Sequence, residues 1–308
     1  MFKAKIGDDG ELAYYAAAMT DVSPVLNKGF TLTESPVWSP EEQALYFVDI
    51  YGPAVWRFDP ASGDTRSWPM PEPVGSIALR EQGGIIAATA SGFCFLDTET
   101  GAIERLFDPE QDKPANRFND GRCDRAGRFW AGTMIEKGND PEGALYRFNP
   151  DRSCRRMVEK LCVSNGLAWS PDDRIMYHSD SRQSTVWAYD YDIENGSIDH
   201  RRVFATMMSG EGRPDGTAVD EEGFYWSARY DGWQIVRHNH AGHEIQVIKT
   251  PIANPTMIAF GGPNLDVMYV TSASRGLPPD KLAQQPDAGG VFAVEPGVRG
   301  LPEPRFAG

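Results

Sequence analysis

The sequence predicts an all-β chain folded as a six-bladed β-propeller with four-stranded antiparallel blades. Three observations lead there. Short apolar strands alternate with turn residues over most of the 308 residues. A strand-turn-strand unit recurs around the anchors Trp38, Leu79, Cys123, Trp169, Val219 and Phe260, spaced 41, 44, 46, 50 and 41 residues apart, the period of propeller blades. No stretch is long enough for a crossover helix, which argues against a βαβ fold.

The fourth unit shows the plan most plainly. Ser164-Asn165-Gly166-Leu167-Ala168-Trp169 leads to the turn Ser170-Pro171-Asp172-Asp173, then to an alternating strand ending at Asp180, then to Thr185-Val186-Trp187-Ala188-Tyr189-Asp190. The first unit repeats it from Glu34-Ser35-Pro36-Val37-Trp38. Thr100-Gly101, Asp172-Asp173, Asn195-Gly196 and Glu222-Gly223 supply the turn chemistry of tight hairpins. The sixth unit runs short of material after Val294, so a segment near Val22 to Leu26 is expected to supply its outer strand and close the ring, removing two free edges. Tyr46, Phe47, Phe129, Trp130, Tyr225, Trp226 and Tyr269 read as core between blades. One repeat over almost the whole chain makes residues 1–308 a single domain, with a core over about 20–296 and order expected everywhere except at the ends.

The formal charge of −14 opposes binding to nucleic acid or an anionic membrane, and favours a cation or a small neutral or cationic substrate. There is no signal-like start and no run of 18 apolar residues, so a cytoplasmic protein is expected, either monomeric or a weak homo-dimer. Cys94, Cys123, Cys154 and Cys162 lack metal or disulfide spacing and read as reduced thiols, with Cys123 buried at its anchor. His238, His240 and His243 are expected at a solvated hairpin tip, and His178 is expected packed in a middle strand. Asp49 and Asp180, each eleven residues after an anchor, read equally well as strand-end caps or as groups beneath a site.

Four positions before each anchor stand Glu34, Gly75, Asn119, Asn165, Asp215 and Thr256. Equivalent positions in a closed ring converge on its axis. Glu34, Asn165 and Asp215 thus offer two charges and an amide oxygen at one centre, a hard donor set for one divalent metal ion, Ca, Mg, Mn or Zn. A polar residue before a strand also commonly caps a turn; the shared register is what favours ligands over caps.

These segments, with Asn116-Arg117-Phe118-Asn119-Asp120-Gly121, Gly127-Arg128-Phe129-Trp130-Ala131-Gly132-Thr133-Met134, Gly143-Ala144-Leu145-Tyr146 and Arg213-Pro214-Asp215-Gly216, resemble the gluconolactonase and regucalcin family, also called senescence marker protein 30, over about residues 30–296. The resemblance implies a six-bladed propeller with metal ligands at Glu34, Asn165 and Asp215, and substrate-binding residues at Arg117 and Asn119. The acidic residue that some members place on sugar hydroxyls falls on Glu136 or Lys137, a departure that leaves the sugar open. The implied activity is hydrolysis of a small sugar lactone to the aldonic acid, the metal polarising the carbonyl and Asp215 serving as general base. Arg117 and Asn119, two apart on an extended segment, would face the same side and donate to ring hydroxyls or a developing oxyanion. The loops Ile135 to Glu142 and Ser274 to Ala288 are expected to overhang the entrance. Two other readings stand beside this one: a calcium propeller hydrolysing phosphotriesters, and a calcium-binding or protein-docking propeller without turnover. No G-x-S-x-G, H-E-x-x-H or phosphate-cradling loop competes with them.

Overall fold

The computed structural model describes residues 21–308 and two short paired strands before them, Ala4–Ile6 and Leu12–Tyr14. Six four-stranded antiparallel sheets follow one another along the chain. Their innermost strands are Thr33–Ser39, Val74–Leu79, Asn116–Cys123, Ser164–Trp169, Arg213–Val219 and Pro255–Gly261. All six anchors lie near the ends of these strands and are buried. Ser23–Leu26 pairs antiparallel with Val291–Val294, so the chain's beginning supplies the outer strand of the sixth blade as expected.

Burial explains the alternation. Inner strands are buried along almost their whole length, while outer strands such as Cys154–Leu161 alternate between exposed and half-buried positions. The core is divided into layers between neighbouring blades. Val37, Tyr46, Ile77 and Ile85 fill the first interface; Phe30, Trp38, Phe47 and Tyr269 close the last. Trp38 stacks on Tyr269 with ring centroids 5.4 Å apart, joining the first blade to the sixth. All seven predicted core aromatics are buried.

Each inner strand breaks register at the same place: between Glu34 and Val37, Val74 and Ser76, Phe118 and Gly121, Asn165 and Ala168, Pro214 and Thr217, and Pro255 and Ile258. A bulge bends a strand and redirects its side chains, and here it does so six times around one axis. Ser35 and Gly166 sit in these bulges at φ 49° and 63°. Gly166 is required there, because a Cβ would lie 2.4 Å from Ser179 Oγ. Ser35 holds its left-handed conformation with compensation: its hydroxyl accepts the Ile77 N–H of the next blade at 2.9 Å.

Two expectations are corrected. His238 ends the strand Gln234–His238 and is buried, with Nε2 3.0 Å from Arg229 and Nδ1 3.2 Å from the Tyr225 carbonyl, because the strand continues to that residue; His240 and His243 are exposed at the tip. The C-terminal segment packs on the propeller. Phe306 is fully buried against Phe95 and Phe148, its backbone bridges to Arg80, and Glu303 pairs with the nearly buried Arg122 at 3.3 Å. His178 is fully buried as predicted, and the four cysteines are free.

Candidate active site

The bulges bring the predicted residues to the axial end of the ring. Glu34, Asn119, Asn165 and Asp215 are each at most 8% exposed. Asn119 links two blades, its Nδ2 donating at 3.0 Å both to Asn165 Oδ1 and to the Ser164 carbonyl. Asn165 Nδ2 donates to Ser181 Oγ at 2.7 Å, and Ser181 Oγ donates to the Pro214 carbonyl at 2.6 Å, next to Asp215. The Asn165 amide is therefore fixed with its oxygen toward Asn119, and one lone pair of that oxygen has capacity left. Both N–H groups of Asn119 are committed to protein partners, so its open capacity toward a ligand is as an acceptor rather than a donor.

The other two register positions have structural reasons. At Gly75 a Cβ would lie 2.5 Å from the Phe118 carbonyl oxygen and 2.6 Å from that of Asn119, so glycine is what lets the second blade approach the third. Thr256 donates to the Thr33 carbonyl at 2.7 Å and ties the sixth blade to the first.

Electrostatics single out the carboxylates. Glu34's carboxyl is pushed well above its ordinary range, first by burial and then by the charges of Asp215 and Asp120; the Ser35 N–H and Arg117 oppose this only in part. Asp215 is raised for the same reasons, burial first and Asp120 second, against the Gly216 N–H, Arg117 and Arg213. Neither forms an ion pair among the described residues, where all salt bridges involve other groups. Two buried, mutually repelling carboxylates, with the Asn165 amide linked toward them through Ser181 and the Pro214 carbonyl, are a set of hard oxygen donors that could hold a divalent cation. Among the described residues no group of three His, Cys, Asp or Glu side chains gathers as a metal cluster; a third donor to a cation at Glu34 and Asp215 would have to be of another kind, as the Asn165 amide oxygen is.

Asp120 escaped the sequence reading. It is 5% exposed, accepts the Leu167 N–H at 3.1 Å through Oδ2, and leaves Oδ1 without a hydrogen-bond partner among the described residues. Strict alternation would turn it away from its neighbour Asn119; the bulge at Phe118–Gly121 is what places its charge near Glu34 and Asp215. The signal was present in Asn119-Asp120-Gly121, since a glycine after two Asx residues is a sequence in which strands commonly irregularise.

The mouth is built from loops. Arg117 Nη1 donates to Asn119 Oδ1 at 2.9 Å and its Nε pairs with Glu136 Oε2. Glu136 Oε1 accepts the Tyr51 hydroxyl at 2.6 Å and faces Arg275 at 3.4 Å. The Arg275 guanidinium lies over the Tyr51 ring, 3.4 Å from its centroid. A continuous line of polar contacts thus runs from Asn165 at the centre to Arg275 at the rim. Between Glu136 and Lys137, the structure brings Glu136 to Arg117; Lys137 is exposed and has no hydrogen bond or ion pair among the described residues. Residues of both predicted overhanging loops, Glu136 and Arg275, meet here. Tyr51 and Arg275 carried no register signal because they stand in loops between the second and third strands of their blades.

Asp49 and Asp180 resolve as loop caps. Asp49 accepts the Thr31 and Leu32 N–H groups at 3.3 and 3.1 Å, and Asp180 those of Cys162, Val163 and Arg182 at 2.7, 3.2 and 3.0 Å. Each carboxylate pins the linker entering its own blade, immediately before Glu34 or Asn165, and so fixes the height of those residues on the axis.

The fold agrees with comparisons to known proteins. The family described as SMP-30/Gluconolactonase/LRE-like region matches residues 32–274. Rabbit (Oryctolagus cuniculus) regucalcin is 40% identical over 282 residues, covering 89% of this chain and 94% of that protein. The 6-deoxy-6-sulfogluconolactonase of Pseudomonas putida is 40% identical over 285 residues, covering 92% of this chain and 98% of that protein. The structure of a calcium-binding regucalcin from Agrobacterium tumefaciens superposes with a TM-score of 0.89 at 26% identity, covering 93% of this chain and 97% of that one. With six blades, bulges in register and a match spanning all six inner strands, this chain belongs to the SMP-30/gluconolactonase/LRE-like family.

Proposed function

We propose that this chain is a lactone hydrolase that opens a sugar lactone to its aldonic acid, with one divalent cation held by Glu34, Asn165 and Asp215. The observation that carries the reading is the uncompensated pair of buried carboxylates on the axis, next to an amide oxygen and within a short chain of contacts from Arg117. A relative named as a 6-deoxy-6-sulfogluconolactonase and the gluconolactonase description of the family support the substrate class.

When bound, the cation would supply Lewis acidity toward the ring carbonyl and acidify water in the site. Asp215, ionised in that state, accepts a proton from the attacking water through a carboxylate oxygen. The ring C–O bond then breaks, and the proton is delivered to the leaving ring oxygen as the hydroxyl forms. Asn119 accepts from a sugar hydroxyl through Oδ1, while its amide group holds Asn165 in place. Arg117, anchored by Glu136 and the Phe118 carbonyl, sets Asn119 and brings positive charge to the oxyanion side. A site that also had to cleave phosphotriesters would favour apolar walls, and this one is lined by charged and amide groups.

The test is acid release from glucono-, galactono-, arabinono- and xylonolactone by chelated protein, before and after adding Ca, Mg, Mn or Zn, together with the thermal midpoint. Turnover should appear only with a cation, and the cation should raise the midpoint. Asp215→Asn should lose at least 100-fold in kcat and also lose the cation-dependent rise, because one charge and one ligand are gone. Full turnover after chelation, or an unaltered cation response in Asp215→Asn, rejects the assignment.

A further inference from the structure

Arg275 is an unusual residue for the mouth of a site built for a neutral polyol. Its side chain is 47% exposed and its guanidinium lies over the Tyr51 ring, 3.4 Å from the centroid, with Nη1 and Nη2 at 3.5 and 3.4 Å from Glu136 Oε1. Its one ion-pair partner among the described residues is Glu136, at 3.4 Å, longer than a strong charge-assisted hydrogen bond. Glu136 is already occupied: Oε2 is paired with Arg117, and Oε1 takes the Tyr51 hydroxyl at 2.6 Å. One carboxylate thus serves two guanidiniums, and the pair of arginines keeps a net positive charge at the rim.

The surroundings add to it. Arg213 is exposed, two residues before Asp215, and its field is felt at that carboxylate. Lys137, beside Glu136, is exposed and unpaired among the described residues. These cations outnumber Glu136 at the rim of a chain whose formal charge is −14, while the carboxyl groups of Glu34, Asp120 and Asp215 are buried at the axis. A guanidinium stacked on an aromatic ring is pre-organised as a fork for oxyanions, and loses less freedom on binding than a free side chain would.

We propose that the lactone taken by this site carries an anionic oxygen group, phosphate or sulfonate, on the end of the sugar remote from the ring carbonyl, and that Arg275 receives it. The inference rests on the lactonase reading for the reaction, and deepens it for the substrate. On binding, Arg275 exchanges its long contact with Glu136 for the ligand's oxyanion while Tyr51 continues to support the guanidinium plane; Glu136 stays on Arg117 and Tyr51. Arg275 is a specificity-determining residue in this account and takes no part in proton transfer.

The experiment compares glucono-1,5-lactone with its 6-phosphate and its 6-deoxy-6-sulfonate, using cation-loaded wild type, Arg275→Gln and Arg275→Lys. Wild type should show kcat/KM at least 10-fold higher on one or both anionic lactones, and which of the two is favoured identifies the anion. Arg275→Gln should cut the anionic-to-neutral ratio at least 10-fold, mainly through KM, and Arg275→Lys should restore part of it. Equal kcat/KM on all three lactones in wild type, or a uniform fall across them in Arg275→Gln, overturns the proposal while leaving the lactonase reading intact. Absence of turnover on every lactone rejects the lactonase reading instead. In that event calorimetric binding of gluconate 6-phosphate against gluconate decides the role of Arg275: tighter binding of the phosphate that is lost in Arg275→Gln supports it, and equal binding refutes it.

Discussion

Single side chains at this centre differ in how they earn their place. Glu34 and Asp215 are buried carboxyls raised by burial and by neighbouring carboxylate charge, whereas Asn165 and Asn119 are fixed by hydrogen bonds through their amide nitrogens. His178 illustrates the opposite case, a titratable group buried without opposing charge. It is fully buried, with Nε2 2.8 Å from Ser164 Oγ, and burial drives its imidazole down to about 3. An unfolded histidine titrates near pH 6.5, so between about pH 6.5 and 3 the unfolded chain binds a proton that the folded chain refuses. This contribution to stability is complete above pH 6.5 and is lost as the pH falls through that window, by up to about 1.4 kcal/mol per pH unit. Urea unfolding of wild type and His178→Gln at pH 7 and pH 4.5 checks it: the variant should lose less stability across that interval, and an identical loss would show that His178 is not responsible.

Among the elements, the bulged inner strand does most to make the site. Its effect is to put a bulge residue or the residue just before it, Asn119, Asp215, Glu34 or Asn165, on the axis in every blade where one is needed. The bulge also requires close approach of neighbouring backbones, which Gly75 permits because a Cβ there would lie 2.5 Å from the Phe118 carbonyl oxygen. Gly75→Ala should therefore push the Phe118–Asn119 segment away, costing about 2–4 kcal/mol as an overpacked core contact. Because Asn119 moves with it, activity should fall even at temperatures where the variant is folded. Denaturant curves paired with kcat measurements test this, and a variant with wild-type values in both would mean the contact relaxes freely. The register of these strands was legible from the spacing of the anchors; the bulge was hinted at in Asn119-Asp120-Gly121, but that it recurs in all six inner strands was not legible, because it depends on which backbone groups the adjacent blade leaves room for.

At the scale of the whole molecule, the ring is closed twice. Ser23–Leu26 completes the sixth blade, and the C-terminal segment crosses the propeller, with Gly300 bridged to Asp220 and Phe306 to Arg80. Phe306 is buried with residues of the second and third blades. Phe306→Ala should cost about 3–5 kcal/mol in urea or thermal unfolding, as for other large aromatic deletions in a core. A loss below about 1 kcal/mol would mean that the tail rests on the ring without supporting it. Among the described residues no helix is long and apolar enough to cross a membrane.

Periodicity and residue type by themselves determined the six blades, the closing strand, the buried aromatics and the register shared by Glu34, Asn119, Asn165 and Asp215. These follow from local rules, since strand alternation, turn chemistry and repeat length are each written within about 50 residues. Only the tertiary structure decided that Asp120 adds its charge to the centre, that Glu136 rather than Lys137 meets Arg117, that His238 is buried and that Arg275 lies over Tyr51. Those facts arise from contacts between blades far apart in sequence, such as the 139 positions between Glu136 and Arg275, where bulge geometry and loop paths set which side chains share a space.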